Sequence, residues 1–180
     1  MNFLWMFVSM SVSSLVSGET STGKQFMTNI GRLYNMEYIE LYMKALEIAK
    51  ECHKGQKDKG GHDYIGHPIR VSDRCMSAKA AITGLLHDVL EDSDMASGKL
   101  LELGFPADIV EAVVLLTKPA GFKYDDYIDW VGTNPIAREV KIADLEDNLD
   151  VTRLPYSLTD KDLNRINKYL RSLEYLKNIK

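Results

Sequence analysis

The chain has 180 residues, 45% of them hydrophobic and 27% charged, the proportions of one ordinary soluble domain with room for a core but not for two large domains. Its 22 Lys and Arg against 26 Asp and Glu leave a net charge of -4, which argues against a dedicated nucleic-acid binder. Two cysteines, Cys52 and Cys75, are too few for a disulfide framework, so reduced thiols are expected.

The first sixteen residues, MNFLWMFVSMSVSSLV, hold eleven apolar side chains and no charge. Three readings stay open: a membrane span, for which the run is short; a signal-peptide h-region, which lacks a basic n-region; and a mis-called start upstream of Met27 or Met36. Fold reasoning therefore starts at Met36, with 1–35 as an extension outside the core and 36–180 as the domain.

From Met36 onward the period is helical. Ile39, Tyr42, Met43, Leu46 and Ala49 predict an amphipathic helix over 36–53. Gly55–Gly66 (GQKDKGGHDYIG), with four glycines, predicts a loop. Pro68 suits the first turn of a helix reaching about Cys75, and another begins near Ala78 and carries Ile82, Leu85, Leu86 and Leu90. Pro106 precedes the helical face Ile109, Val113 and Leu116; Tyr124–Val131 suits a short helix; Pro135 opens a helix over 135–151. Thr159 and Asp162 read as a capping box for a last helix whose buried stripe is Leu163, Ile166, Leu170 and Leu173. No alternating strand is present, and the fold class is all-α, a single helical bundle.

The chemistry concentrates in Leu85–Asp92, LLHDVLED. In one helix, His87 and Glu91 share a face at i, i+4, and Asp88 and Asp92 share the next. A solvated helix end accounts for Glu91, Asp92 and Asp94, but accounts poorly for His87 and Asp88, which follow Leu85 and Leu86 toward the core. Imidazole with carboxylate suits Mn²⁺, Fe²⁺ or Zn²⁺. A third ligand is needed, and spacing favours His67, ahead of a proline-started helix, only slightly over His53; His62, in the loop, is weaker. In KIADLEDN, Lys141, Asp144 and Asn148 lie on one stripe. Asp144 is evenly balanced between ligand and exposed acid, whereas Asp147 and Asp150 read as solvated.

His67, then His87-Asp88, then Asp144 resembles the H…HD…D signature of HD-domain metal phosphohydrolases. CHKGQKDKGGHDYIGHPIRV (Cys52–Val71), LLHDVLED, Thr117-Lys118 and VKIADLEDNL (Val140–Leu149) are more narrowly similar to the hydrolase domain of RelA/SpoT-type small alarmone hydrolases, over about Glu40–Asp150. The resemblance implies one Mn²⁺ (Fe²⁺ or Zn²⁺ as substitutes) on His67, His87, Asp88 and Asp144, with His53 structural and Glu91 and Asp92 as the catalytic acidic pair. It also implies Lys59, Tyr64, Lys141 and Asn148 as substrate-binding residues. The implied activity removes the 3′-pyrophosphate of guanosine alarmones such as ppGpp and pppGpp in the stringent response. Its partner is a small-molecule nucleotide, with no nucleic acid and no membrane, in the cytoplasm; that setting ranks a mis-called start or extension above export for 1–35. Alternatives are an HD-domain phosphohydrolase releasing Pi from another nucleotide, and a non-catalytic nucleotide sensor. Asp58-Lys59 stands where the family has Arg-Lys, and Asp150 and Val151 where it tends to Arg and Thr, so hydrolysis is better supported than guanine selectivity.

Overall fold

The computed structural model describes residues 36–179, so the readings of the apolar segment 1–35 lie outside the described residues. The chain divides between Glu40 and Leu41, and the unit from Leu41 onward carries the fold and the site. Its regular elements are helices; the β pairing among the described residues is an isolated bridge between Lys57 and Asp63. None of these helices is long and apolar enough to cross a membrane.

Helix α1 (Met36–Cys52) keeps the expected period with a shifted stripe. Leu41, Ala45 and Ala49, at steps of four, are buried, while Ile39 and Met43 are exposed. The following loop is a small hairpin. Asp58 N–H donates to the His62 carbonyl and Tyr64 N–H to that of Gln56, while Asp58 Oδ1 accepts from Gly60 N and His62 N. Gly61, at φ 82°, makes the turn that a side chain would resist.

Helix α2 (Gly66–Arg74) holds Pro68 in its first turn, and α3 (Ala78–Leu86) is capped by Ser77, whose side chain accepts from Ala80 N. The expected continuous helix through Asp92 is broken. His87 and Asp88 form a turn, and α4 (Val89–Asp92) restarts with Asp88 at its N-cap. Helix α5 (Ser97–Glu102) was not anticipated; α6 (Ala107–Leu116) and α7 (Tyr124–Gly132) fall where expected.

Helix α8 (Pro135–Asn148) is the hub. Asn134 caps it by accepting from Ile136 N and Ala137 N, and it packs against α2, α3, α6, α7 and, beyond the 3₁₀ turn Val151–Arg153, helix α9 (Asp160–Asn178). Val71, Ala112, Val131, Val140, Leu145 and Leu176 belong to one buried cluster, and each Val or Leu contributes about 1.5–3 kcal/mol.

Helix α9 has the expected capping box, with Thr159 bonded to Asp162 N and Asp162 returning to Thr159 N. Its buried face is rotated from the expected one. Leu163 and Leu170 are 46% and 49% exposed, whereas Asp162, Ser172 and Leu176 are buried and Tyr169 and Leu173 pack against the core. Two neighbouring stripes satisfy the helical period, and the box settles between them by turning Asp162 inward.

Candidate metal centre

Three segments converge on one point. Helix α2 supplies His67, the turn after α3 supplies His87 and Asp88, and α8 supplies Asp144. His87 reaches the centre because α3 passes against α2 at Gly84, where a Cβ would stand 3.1 Å from the Ser72 backbone. The two imidazole rings lie edge-on with centroids 5.2 Å apart.

His67, His87 and Asp88 offer ligand atoms that all lie within 4.8 Å of one another. His87 Nε2 is 3.0 Å from Asp88 Oδ2, and Asp144 Oδ1 is 3.2 Å from His67 Nε2 and 3.9 Å from His87 Nε2. His87 Nδ1 lies 2.8 Å from the Gly84 carbonyl. A carbonyl only accepts, so Nδ1 carries the proton and the neutral ring keeps its lone pair on Nε2. That Nε2 is buried and makes no well-aligned hydrogen bond, although Asp88 Oδ2 stands 3.0 Å away. Two imidazole nitrogens and two carboxylates, one nitrogen without a well-aligned hydrogen bond in a buried pocket, are a donor set that fits a divalent cation.

The electrostatics agree. Burial lowers the His67 pKa, but hydrogen bonds to Asp144 and Asp147 outweigh it and raise it to about 9. Burial raises the Asp88 carboxyl, yet the adjacent His87 holds it well below the usual range. Asp144 is likewise buried and is held far down by Lys141 first and then by the two histidines. The centre attracts positive charge.

The site opens into a cavity of about 520 Å³. Glu91, exposed, lines it; Asp92 does not, and burial together with Asp88 raises its carboxyl pKa. Lys59, Tyr64, Lys141 and Asn148 all reach the cavity, but three of them are bonded to the carboxylates of Asp88 and Asp144. Tyr64 OH donates to Asp88 Oδ2 at 2.5 Å, Lys141 Nζ to Asp144 Oδ2 at 2.8 Å, and Asn148 Nδ2 to Asp144 Oδ1 at 2.5 Å. His53 is buried against Tyr64, with ring centroids 5.0 Å apart, and bonded to Gln56; it does not join the ligand group, in keeping with a structural role.

Two features were not read from the sequence. Asp147, expected on a solvated face, is fully buried and surrounded by His67 and three arginines. The reason is that α8 is buried on two sides, by α2 and by the following 3₁₀ turn; the approaching Arg70 and Arg74, at three- and four-residue steps from His67, were the available signal. The cavity also has cations that the sequence reading lacked. Arg153 stands 3.6 Å from Asp58 and 3.5 Å from Asp150, the positions where a family cation was counted as lost. Arg165 and Lys168, one turn apart on α9, complete that side, with Lys168 Nζ 4.0 Å above the Tyr124 ring.

An all-α bundle in which two histidines and two aspartates converge in this order is similar to the arrangement that the HD-type resemblance implies. The chain is similar to proteins named guanosine-3′,5′-bis(diphosphate) 3′-pyrophosphohydrolase. The Borreliella burgdorferi protein is 42% identical over 79 residues, which are 42% of this chain and 12% of that protein. The Aquifex aeolicus protein is 29% identical over 141 residues, 73% of this chain and 20% of that one. A probable enzyme of the same name from Mycoplasma pneumoniae is 29% identical over 121 residues, 65% and 16% of the two chains. The chain thus spans a fifth or less of the length of these relatives. Among solved structures, one described as a metazoan ortholog of SpoT that hydrolyzes ppGpp superposes with a TM-score of 0.63 at 23% identity, covering 77% of this chain and 86% of that one, and it shares the fold. No family model matches the chain.

Proposed function

We propose that this chain is a divalent-metal-dependent hydrolase that removes the 3′-pyrophosphate of guanosine alarmones, ppGpp and pppGpp, or of a closely related nucleotide. The observation that carries this reading is the buried His87 Nε2, without a well-aligned hydrogen bond, among His67, Asp88 and Asp144, on the floor of a cavity whose other side is cationic. The names of the relatives supply the substrate class.

His67, His87, Asp88 and Asp144 would hold the ion; the mixed imidazole and carboxylate set suits Mn²⁺, Fe²⁺ or Zn²⁺, and the family resemblance implies Mn²⁺. Such an ion supplies positive charge to the phosphoryl oxygens and lowers the pKa of bound water from ~15.7 toward ~7. Glu91, exposed at the cavity, takes the proton of the attacking water, and Asp92, which does not line the cavity, supports it from the following position. Water oxygen bonds to the phosphorus on the 3′-oxygen, the 3′-O–P bond breaks, the leaving 3′-oxygen takes up a proton from solvent, and the ribose 3′-hydroxyl and pyrophosphate are released. Lys59, Arg165 and Lys168 offset the charge of the pyrophosphate and 5′-phosphates. Lys141, Tyr64 and Asn148 meet the nucleotide while holding Asp144 and Asp88 in place. With a substrate of this kind, the proposed setting is the cytoplasm.

The test is phosphorus product analysis. Mn²⁺-loaded protein is expected to release pyrophosphate from ppGpp, and Glu91→Gln to abolish the release. Release of Pi alone would move the protein to another nucleotide phosphohydrolase class; no turnover of any 3′-phosphorylated nucleotide would overturn the reading.

A further inference from the structure

Every acceptor position of Asp147 is used. Its Oδ2 lies 2.8 Å from His67 Nδ1, 3.1 Å from an Arg70 guanidinium nitrogen and 3.0 Å from one of Arg153; its Oδ1 accepts from Arg70 Nε at 2.9 Å and from Arg74 at 2.8 Å. The carboxyl is fully buried. A carboxylate ringed by guanidiniums has no proton to give. Its short contact with His67 therefore requires Nδ1 to be a donor, so the ring could coordinate only through Nε2, whose proton, held against Asp144, a bound cation would displace. Nε2 is the atom that faces Asp144 Oδ1 at 3.2 Å and Asp88 Oδ2 at 3.8 Å.

We propose that Asp147 is a positioning residue for the metal centre: it fixes the tautomer and tilt of His67 and, through the same oxygen, tethers Arg153 in the cavity wall. The inference rests on the metal-site reading above. The two histidines are then aimed by different means. His87 donates to a neutral backbone carbonyl, whereas His67 donates to an anion, which raises its basicity as a ligand. Asp147 touches no reacting atom and acts through His67 and Arg153. Arg70 and Arg74, outside the cavity lining, serve the buried acid alone, whereas Arg153 serves both the acid and the cavity wall.

The experiment uses the full chain. Titration calorimetry with Mn²⁺ and with Zn²⁺ is expected to show Asp147→Asn binding 10- to 100-fold more weakly than wild type, by the usual cost of losing an outer-shell acceptor. Arg74→Met, which removes an outer partner of Asp147 and leaves the His67 contact, is expected to keep wild-type affinity. A readout independent of the variants is nitrogen-15 NMR of the histidine side chains in Zn²⁺-loaded wild type, where His67 is expected to carry its proton on Nδ1. Failure of wild type to bind either ion overturns both this inference and the metal reading. Normal metal affinity in Asp147→Asn, or a His67 ring without a proton on Nδ1, overturns the role of Asp147 alone.

Discussion

The two sides of the cavity are built on opposite terms. On the metal side the side chains are short, buried and tied by named hydrogen bonds: His87 to Gly84, His67 to Asp147, Asp144 to Lys141 and Asn148. On the cationic side they are long and partly exposed: Lys59 on the hairpin, Arg153 on the 3₁₀ turn, and Arg165 and Lys168 on α9. The first side is pre-organised, so the position of a cation there is decided before any ligand arrives. The second works by charge and reach, which suits binding of phosphates without fixing which base accompanies them.

That contrast can be broken at its strongest point first. Asp88→Ala removes a ligand and the acceptor of Tyr64, and is expected to abolish metal binding and lower turnover by ~100-fold or more, measured by calorimetry and pyrophosphate release. On the other side, Lys168→Ala or Arg165→Ala should raise KM by about 10-fold, with kcat nearly unchanged, because a distributed set of long cations loses one member without losing geometry. A large kcat effect at Lys168 would show that side to be as tightly pre-organised as the first.

Acid titration separates the sides in another way. Asp147 has its folded pKa depressed, so it contributes stability that is present above its unfolded pKa of ~3.9 and is lost as pH falls through the lower folded value. Chemical unfolding of the metal-free protein between pH 6 and pH 2 should therefore show a steeper loss for wild type than for Asp147→Asn, while Lys168→Ala should follow wild type. The smallest effects belong to the platform beneath the cations. Thr159→Ala, which opens the capping box of α9, should cost about 1 kcal/mol, and Leu163→Ala, on the exposed face, less than ~0.5 kcal/mol in thermal or denaturant unfolding.

The legibility of the sequence followed the same divide. Helical periods, caps and proline positions marked most elements, because those signals are local: Asn134, Thr159 and Ser77 each cap the helix that follows them. The four residues proposed as ligands stand in the sequence as an ordered motif, and the fold brings them together. Burial was less so, since a helical period fixes a spacing but not which of two adjacent stripes faces inward, and Leu163 and Leu170 were placed on the wrong one. Asp147 was missed for a related reason. An acid among other acids reads as solvated until the arginines that neutralise it, 77, 73 and 6 residues away, are brought to it by the fold. The break at His87-Asp88 was hidden because both flanks are good helix.

The near-contact of α2 and α3 at Gly84 makes the metal centre adjustable by one carbon atom. A methyl group there would press on the Ser72 backbone at 3.1 Å, so the helices would have to part by a few tenths of an ångström. Metal–ligand distances tolerate only about 0.2 Å, whereas packing gives way more gradually. Gly84→Ala would thus act on the span between His67 and His87 before it acts on folding, and is expected to change the ranking of Zn²⁺ against the larger Mn²⁺ while the helical circular dichroism stays intact.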